Sequence, residues 1–205
     1  MKRLTLIIIL GVIWFNSSYG QFSGQLSSAV PVPQGNSTLG GFVGIYDGGM
    51  GVLGQYRVGL GSYTDIGFKL GIIDLDADHG NSTGADLAFD VKYLVLEERL
   101  RDPINLSVGG NLDVGIFEHV NIFSLGINTI GSYPVHLRGG RILDPYGRLI
   151  FRVERSDPDV GDGDTDFEIG FNLGSTFDLN QSTKVLAEIQ FDDPTAFYLG
   201  LSFGL

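Results

Sequence analysis

The 205-residue sequence contains no cysteine. That absence excludes disulfide bonds, thiolate metal sites, cysteine nucleophiles and a lipid-modified N-terminal cysteine. Charged residues are also scarce, at 18% of the chain, whereas about 25% is usual in soluble domains. Proline is uncommon too, with 7 residues, yet 14 Phe and 8 Tyr are spread along the chain, which argues against disorder.

Glycine, by contrast, is plentiful. It supplies 31 of the 205 residues, roughly twice the usual share of about 7%. The glycines follow no Gly-X-Y period, so a collagen-like chain is excluded. A folded structure must therefore use them.

The first twenty residues have the organisation of a bacterial secretory signal peptide. Lys2 and Arg3 precede an apolar stretch that runs from Leu4 to Phe15, and small residues precede Gln21. This stretch is shorter than the about 20 residues that a membrane-spanning helix needs. We therefore expect a cleaved signal peptide at residues 1–20, an extended lead-in at residues 21–37 and one domain at residues 38–205. An uncleaved N-terminal anchor is the alternative.

The chain that remains after cleavage is strongly acidic. Cleavage removes two basic residues and no acidic one, which leaves 11 basic and 24 acidic residues and a net charge of −13. Such a chain is a poor ligand for nucleic acid. No later apolar stretch approaches the length of a membrane-spanning helix, so we expect an exported protein without a helical anchor.

Apolar and polar residues alternate along most of this chain. At the C-terminus, Leu199, Leu201 and Phe203 share one face with Phe197 and Leu205, while Gly and Ser dominate the other. A period of two predicts β-strands. Ten strands are predicted, at residues 38–46, 51–60, 65–75, 84–97, 104–117, 120–137, 141–154, 165–179, 183–191 and 196–205.

The polar faces of these strands indicate which surface meets solvent. They are rich in Gly, Ser, Asn and Asp, whereas a convex, water-facing surface usually carries longer polar side chains. Small side chains suit the inside of a narrow barrel, and apolar faces about 10 residues long can cross a bilayer at a tilt. We therefore predict an all-β, antiparallel, up-and-down transmembrane β-barrel of about ten strands, with eight or twelve also possible. A secreted soluble β-protein is the alternative.

With this pattern, the chain resembles the small bacterial outer-membrane β-barrel proteins. The most specific part is the last strand, FYLGLSFGL, which looks like the C-terminal insertion signal of that family. The signal residues here are Phe197, Leu199, Leu201, Phe203 and Leu205, although the family usually ends in Phe. The resemblance implies residence in the bacterial outer membrane, contact with its lipid and lipopolysaccharide, and insertion by the barrel-assembly machinery.

Charged residues on the polar faces are the main functional clue. Two interpretations remain open: the charges pair across a closed barrel, or they set ion selectivity in a narrow hydrated pore, for which inward glycines would leave room. The first gives a closed barrel with a structural or loop-mediated binding role, and the second gives a porin-like channel for small solutes or ions, which we expect. The predicted inward charges are Arg57, Lys69, Asp90, Lys92, Asp113, Arg148, Arg152, Glu154, Glu168, Asp178, Lys184 and Glu188.

Catalytic and metal-binding motifs are weak. The three histidines, His79, His119 and His136, lack the spacing of a hydrolase triad, and no G-x-S-x-G or H-E-x-x-H motif occurs. We therefore expect neither an enzyme nor a cofactor. Alternating aspartates in two predicted outer loops are weak candidates for divalent cations, but they lack the glycine and glutamate positions of an EF-hand, so solvated acidic loops are the default. These are Asp74, Asp76 and Asp78, and Asp162, Asp164 and Asp166.

Overall fold

A computed structural model describes residues 24–46, 48–77, 80–99, 102–159, 161–192 and 195–205, with the side chains of residues 75–81 left out. The predicted signal peptide at residues 1–20 lies outside the described residues, as do Asp78 and His79. Within these described ranges, no helix is long and apolar enough to cross a membrane.

Strands form where apolar and polar residues alternate in the sequence, as expected. The strands are β1 (Ser37–Tyr46), β2 (Gly49–Gly59), β3 (Thr64–Ala77), β4 (Gly80–Leu96), β5 (Asn105–Phe117), β6 (Val120–Ser132), β7 (Val135–His136), β8 (Ile142–Pro158), β9 (Asp164–Asp178), β10 (Thr183–Phe191) and β11 (Ala196–Gly204).

The strands form one closed antiparallel barrel. Each long strand pairs with the next, β6 pairs with β8, and β1 pairs with β11, so that ten strands surround the interior. The two-residue strand β7 pairs only with the beginning of β8. It is separated from β6 by Tyr133 and Pro134, and proline cannot supply a ladder N–H group. The predicted ten-stranded barrel is confirmed, and the strand predicted at residues 120–137 is interrupted at Pro134.

The connections define two ends of the barrel. We call the end that carries Ser37 and Gly204 the lower end, and the opposite end the upper end. A Gly-Gly hairpin lies at the lower end, where Gly139 and Gly140 have φ values of 84° and 74°. Such positive φ angles are those that a tight hairpin requires and that glycine adopts without strain.

Two predicted outer loops are shorter than expected. Residues 76–83 were expected to form a long acidic loop, but β3 and β4 remain paired as far as Ala77 and Gly80. Likewise, β8 continues to Pro158 and so includes part of the loop expected at residues 155–164. Backbone hydrogen bonding continues beyond the apolar band because pairs of polar side chains on neighbouring strands also stabilise a sheet in water.

The two faces of the sheet differ as predicted. Apolar side chains point outward and remain exposed, as Leu39, Val43 and Ile45 do on β1, while Phe42 and Tyr46 on the other face of the same strand are buried in the interior. On β11, the outward and exposed residues are Phe197, Leu199, Leu201 and Phe203, and the terminal Leu205 is exposed too. The barrel therefore has an aliphatic and aromatic outer band and a mixed interior.

Candidate functional site in the barrel interior

Residues 24–33, which we call the N-terminal segment, run inside the barrel. Gln25 and Ala29 are completely buried there, whereas Pro33 and Asn36 are exposed at the lower end. The segment forms no long strand, and Gln34 makes one isolated bridge with Gly59 before β1 begins. The sequence predicted an extended lead-in, and its position inside the barrel was not foreseen.

Lys92 is the main anchor of the N-terminal segment. Its Nζ atom donates to the Oγ atom of Ser27 at 3.1 Å, to the carbonyl oxygen of Ser28 at 2.8 Å and to that of Val30 at 3.1 Å. These three acceptors lie more than 60 residues earlier in the chain. A wall residue thus fixes the course of the segment.

Three other wall residues hold the deeper part of the segment. Gln55 and Arg57 donate to the carbonyl oxygen of Gln25 at 2.5 and 3.2 Å. Arg148, on the opposite side of the barrel, donates to the carbonyl oxygen of Ser27 at 3.3 Å. The segment is therefore held from at least two sides of the interior.

The largest ion-pair network joins β2, β3 and β4. Arg57 lies 2.5 Å from Asp65 and 2.8 Å from Asp90, measured between Nη2 and the nearest carboxylate oxygen. Lys69 pairs with Asp90 at 3.0 Å, and Lys92 lies 3.6 Å from Asp65. Charges of opposite sign alternate along this chain of five buried groups, which compensates for part of the cost of removing each one from water.

A second network is centred on Glu188 of β10. The hydroxyl group of Tyr146 donates to Glu188 at 2.5 Å, and the amides of Asn172 and Gln190 donate to it at 3.1 and 2.7 Å. Arg148 lies 3.5 Å from the same carboxylate. A buried carboxylate with this many donors is held as an acceptor in a fixed position.

A third cluster lies nearer the upper end, around Arg152. Its Nε atom pairs with Glu154 at 3.2 Å, and its guanidinium group also pairs with Asp192. Glu168 faces Arg152 across the β8–β9 ladder and is half-buried. By contrast, Arg155 and Asp157, farther along β8, pair at 2.8 Å while remaining more than half exposed.

The structure places the twelve predicted inward charges in two groups. Glu168 and Asp178 are half-buried, and Lys184 is exposed at the lower rim, where it pairs with Asp178 at 3.2 Å. The other nine are buried in the interior: Arg57, Lys69, Asp90, Lys92, Asp113, Arg148, Arg152, Glu154 and Glu188. Among these, Asp113 accepts a hydrogen bond from Asn111 at 3.1 Å.

Three buried acids were missing from the predicted set: Asp65, Asp86 and Asp144. Each alternates with other inward residues, so the period of two could have identified them. With them, the buried interior of the described chain holds seven acidic and five basic side chains, whereas the sequence suggested a balance.

Apolar and aromatic residues fill the upper part of the interior. Tyr46 and Tyr198 meet edge to face with ring centroids 5.7 Å apart, and the hydroxyl group of Tyr198 donates to that of Tyr46 at 3.2 Å. Ile73, Phe117 and Ile122 come from three other strands and join the same buried cluster. Side chains from at least five strands therefore occupy the upper interior.

Inward glycines provide the space for these large side chains. A Cβ atom at Gly44 would lie 2.7 Å from the hydroxyl oxygen of Tyr46, and one at Gly40 would lie 2.7 Å from the ring of Phe42. At Gly174 and Gly84 it would overlap the rings of Tyr146 and Phe117. The glycines were expected to leave room for water, but at these positions they make room for rings.

A cavity of about 520 Å³ opens at the lower end beside the N-terminal segment. Leu26 and Val30 of the segment line one side, and Thr176, Lys184, Leu186 and Ser202 are among the residues that line the wall. This cavity lies between the N-terminal segment and the wall of the barrel near its lower end.

The weak metal candidates whose side chains the structure describes are not grouped into a site. Asp162, Asp164 and Asp166 are all exposed, and Asp74 accepts a hydrogen bond from Thr83 at 3.1 Å. In the part of the chain that the structure describes, no three His, Asp or Glu side chains are grouped so that they could hold a metal ion. His119 and His136 are exposed.

Comparison with known proteins gives the fold. No family model matches the chain, and no curated protein matches it. The structure is similar to the beta domain of the Bordetella autotransporter Brka, with a TM-score of 0.53, 13% identity and coverage of 83% of this chain and 98% of that one. It also matches the translocator domain of the autotransporter NalP from Neisseria meningitidis, with a TM-score of 0.43, 10% identity and coverage of 82% of this chain and 86% of that one. A match to the KdgM porin has a TM-score of 0.42, 10% identity and coverage of 81% of this chain and 98% of that one. The first match shows the fold of an outer-membrane β-barrel, as expected from the sequence.

Proposed function

We propose that this chain, which has the fold of outer-membrane β-barrel proteins, is an integral outer-membrane barrel that is closed along its length. Its role is then structural, or is carried out by binding at its ends, rather than by an open pore. The observation that carries the proposal is the burial of the interior charges, since Arg148, Arg152 and Lys92 are each only 1% exposed. Side chains that line an open aqueous pore must be in contact with water.

Two groups of residues that fill the barrel interior support a closed barrel. The N-terminal segment and the ion-pair networks fill the lower and middle interior, and the aromatic cluster around Tyr46 and Tyr198 fills the upper interior. Opening such a barrel would separate several buried ion pairs and unpack the aromatic cluster. The closed state is therefore the resting state.

The outer surface supports residence in a membrane. Large apolar side chains remain exposed on every side of the barrel, including Val52 on β2, Leu125 on β6 and Ile169 on β9. A protein in water rarely exposes so large a continuous apolar surface. In our proposal this band contacts outer-membrane lipid and lipopolysaccharide, and the exposed residues of β11 guide insertion by the barrel-assembly machinery.

A narrow cation pathway is the second candidate. Buried side-chain atoms of Ser107, Ser124 and Asn128 on β5 and β6 make no hydrogen bond within the described residues, although buried polar groups normally need a partner. These atoms lie in an interior where seven acids outnumber five bases. If ions pass at all, cations are the species that this charge balance favours.

Planar-bilayer recording of the refolded chain from residue 21 to residue 205 tests the proposal. We expect no discrete conductance steps from the closed barrel, while an open porin inserted under the same conditions gives them. Steady conductance steps would contradict closure, and cation selectivity of those steps would establish the second candidate. Recovery of the protein in a soluble fraction without detergent would contradict the membrane location.

A further inference from the structure

The barrel holds the N-terminal segment mainly through the main chain of the segment. Four carbonyl oxygens accept hydrogen bonds from wall side chains, and the amide of Val32 donates to Asp65 at 2.8 Å. The four carbonyl groups belong to Gln25, Ser27, Ser28 and Val30, and the donors are Gln55, Arg57, Lys92 and Arg148. Contacts of this kind recognise a peptide main chain with little regard to its side chains.

The side chains of the segment add a simple size requirement. Ala29 is completely buried, and Leu26 is 2% exposed in the same apolar cluster, so both positions have a defined space. Val30, in contrast, is 47% exposed. No charged residue occurs between Gly24 and Asn36. The wall therefore fits an uncharged peptide with a small residue at the position of Ala29.

The connection between the segment and β1 is joined to the sheet at Gly59, whose amide donates to Asn36 and whose carbonyl oxygen accepts from Gly35. Residues 33–36 are exposed at the lower end, and Gly35 has a φ of 80° with no atom within 4 Å of where its Cβ would be. The bridge between Gln34 and Gly59 is isolated and belongs to no ladder. The cavity of about 520 Å³ lies beside the segment on the side of β10 and β11. Withdrawal of the segment would leave every barrel strand paired.

We propose that the lower half of the barrel interior is a peptide-binding site whose resident ligand is the N-terminal segment. The site takes other uncharged peptides with the same small-residue pattern once the segment withdraws. The proposal concerns what the lower interior binds, so it goes beyond closure and its test does not depend on conductance.

The experiment uses the whole chain from residue 21 and separates the segment only after folding. A specific protease site is inserted at Gly35, the protein is folded and then cut, and the cut segment is released by a wash in mild urea. A fluorescent peptide with the sequence of Gly24 to Gln34 is then added, and binding is followed by anisotropy. We expect the cut barrel to retain its β-structure and to bind the peptide saturably, while the uncut barrel does not.

Two peptide variants test the recognition and leave the barrel unchanged. Ala29→Phe in the peptide should weaken binding at least about tenfold, because the added ring overfills a buried position. Val30→Ala should change binding less than about twofold, since this side chain is half-exposed. In the barrel, Lys92→Met should also weaken binding, and Arg155→Met, at the exposed upper end of β8, should leave it unchanged.

The peptide-binding results test the proposed binding site independently of whether the barrel conducts ions. A cut barrel that keeps its circular dichroism spectrum but takes up no peptide would overturn the proposal. Equal binding of the Ala29→Phe peptide, or equal uptake by the uncut barrel, would also overturn it, since either result means adsorption outside the interior. Bilayer recordings do not enter this measurement, so a conducting barrel could still bind the peptide.

Discussion

The ring of Tyr146 on β8 lies over Gly174, its register partner on β9. The absence of a side chain at Gly174 is what allows the hydroxyl group of Tyr146 to reach Glu188. Any Cβ atom at this glycine would overlap the ring. The second ion-pair network therefore depends on a residue that makes no side-chain contact of its own.

Gly174→Ala should lower the free energy of unfolding by about 1–3 kcal/mol, because the ring must move out of a filled interior. Urea unfolding in detergent, followed by far-ultraviolet circular dichroism, measures the change in the free energy of unfolding. Gly41→Ala is the matched control, since Gly41 is in a strand but faces outward with no atom within 4 Å of its Cβ position. Equal loss in both variants would show that the cost arises from the backbone and not from the ring.

Arg57→Met should destabilise the barrel by roughly 3–5 kcal/mol. The substitution leaves Asp65 and Asp90 buried without their shared guanidinium partner. Arg155→Met removes an ion pair that is more than half exposed and should cost less than about 1 kcal/mol. The shift of the unfolding midpoint on heating in detergent compares the two. A loss in Arg57→Met no greater than in the control would mean that water reaches the network.

Leu201→Asp combined with Phe203→Asp should prevent assembly in the membrane. Both side chains lie on the outward apolar face of β11, and a charge there must enter hydrocarbon. Gln181→Asp, in the exposed lower turn before β10, adds a charge outside the apolar band and should assemble normally. The heat-modifiable mobility of the folded barrel in membrane fractions is the measurement. Normal assembly of the β11 variant would contradict the assignment of its outer face.

A single introduced cysteine should report directly on closure, because the chain has no other thiol. Ser124→Cys places the thiol on the buried side of β6, and Thr195→Cys places it at the exposed upper end. We expect a water-soluble maleimide to label the inner site at least ~100-fold more slowly, which corresponds to an opening free energy of about 2.8 kcal/mol. Similar labelling rates at the two sites would indicate a hydrated interior.

The strand pattern could be predicted from the sequence because each strand has one apolar and one polar face. On β11 the predicted residues 196–205 differ from the observed strand by one residue. Pairing beyond the apolar band could not be predicted in the same way. Residues 76–83 are polar on both faces, so alternation carries no signal there, although the backbone still pairs as far as Ala77 and Gly80.

Many of the charged residues that face the interior could also be predicted. The N-terminal segment and the aromatic rings that fill the interior could not. The period of two places nine of the charges in the interior, and it could have placed Asp65 there too, which alternates with Gly67 and Lys69. The N-terminal segment gives no such signal, because its contacts are made by carbonyl groups, which every sequence has. For the same reason, sequence cannot show whether a glycine such as Gly174 leaves space for water or for the ring of a neighbouring strand.

Pairing of β1 with β11 sets an order of events in biogenesis. The ring of strands closes only when Ala196–Gly204 have joined the first strand. Residues 24–33 lie inside that ring, so they must either be enclosed as it closes or enter afterwards through the lower end. Residues 24–33 are thus enclosed by a pairing between strands far apart in the chain, and such long-range pairing makes folding slow. A chain that stops before Ala196 would lack the strand that closes the barrel around these residues.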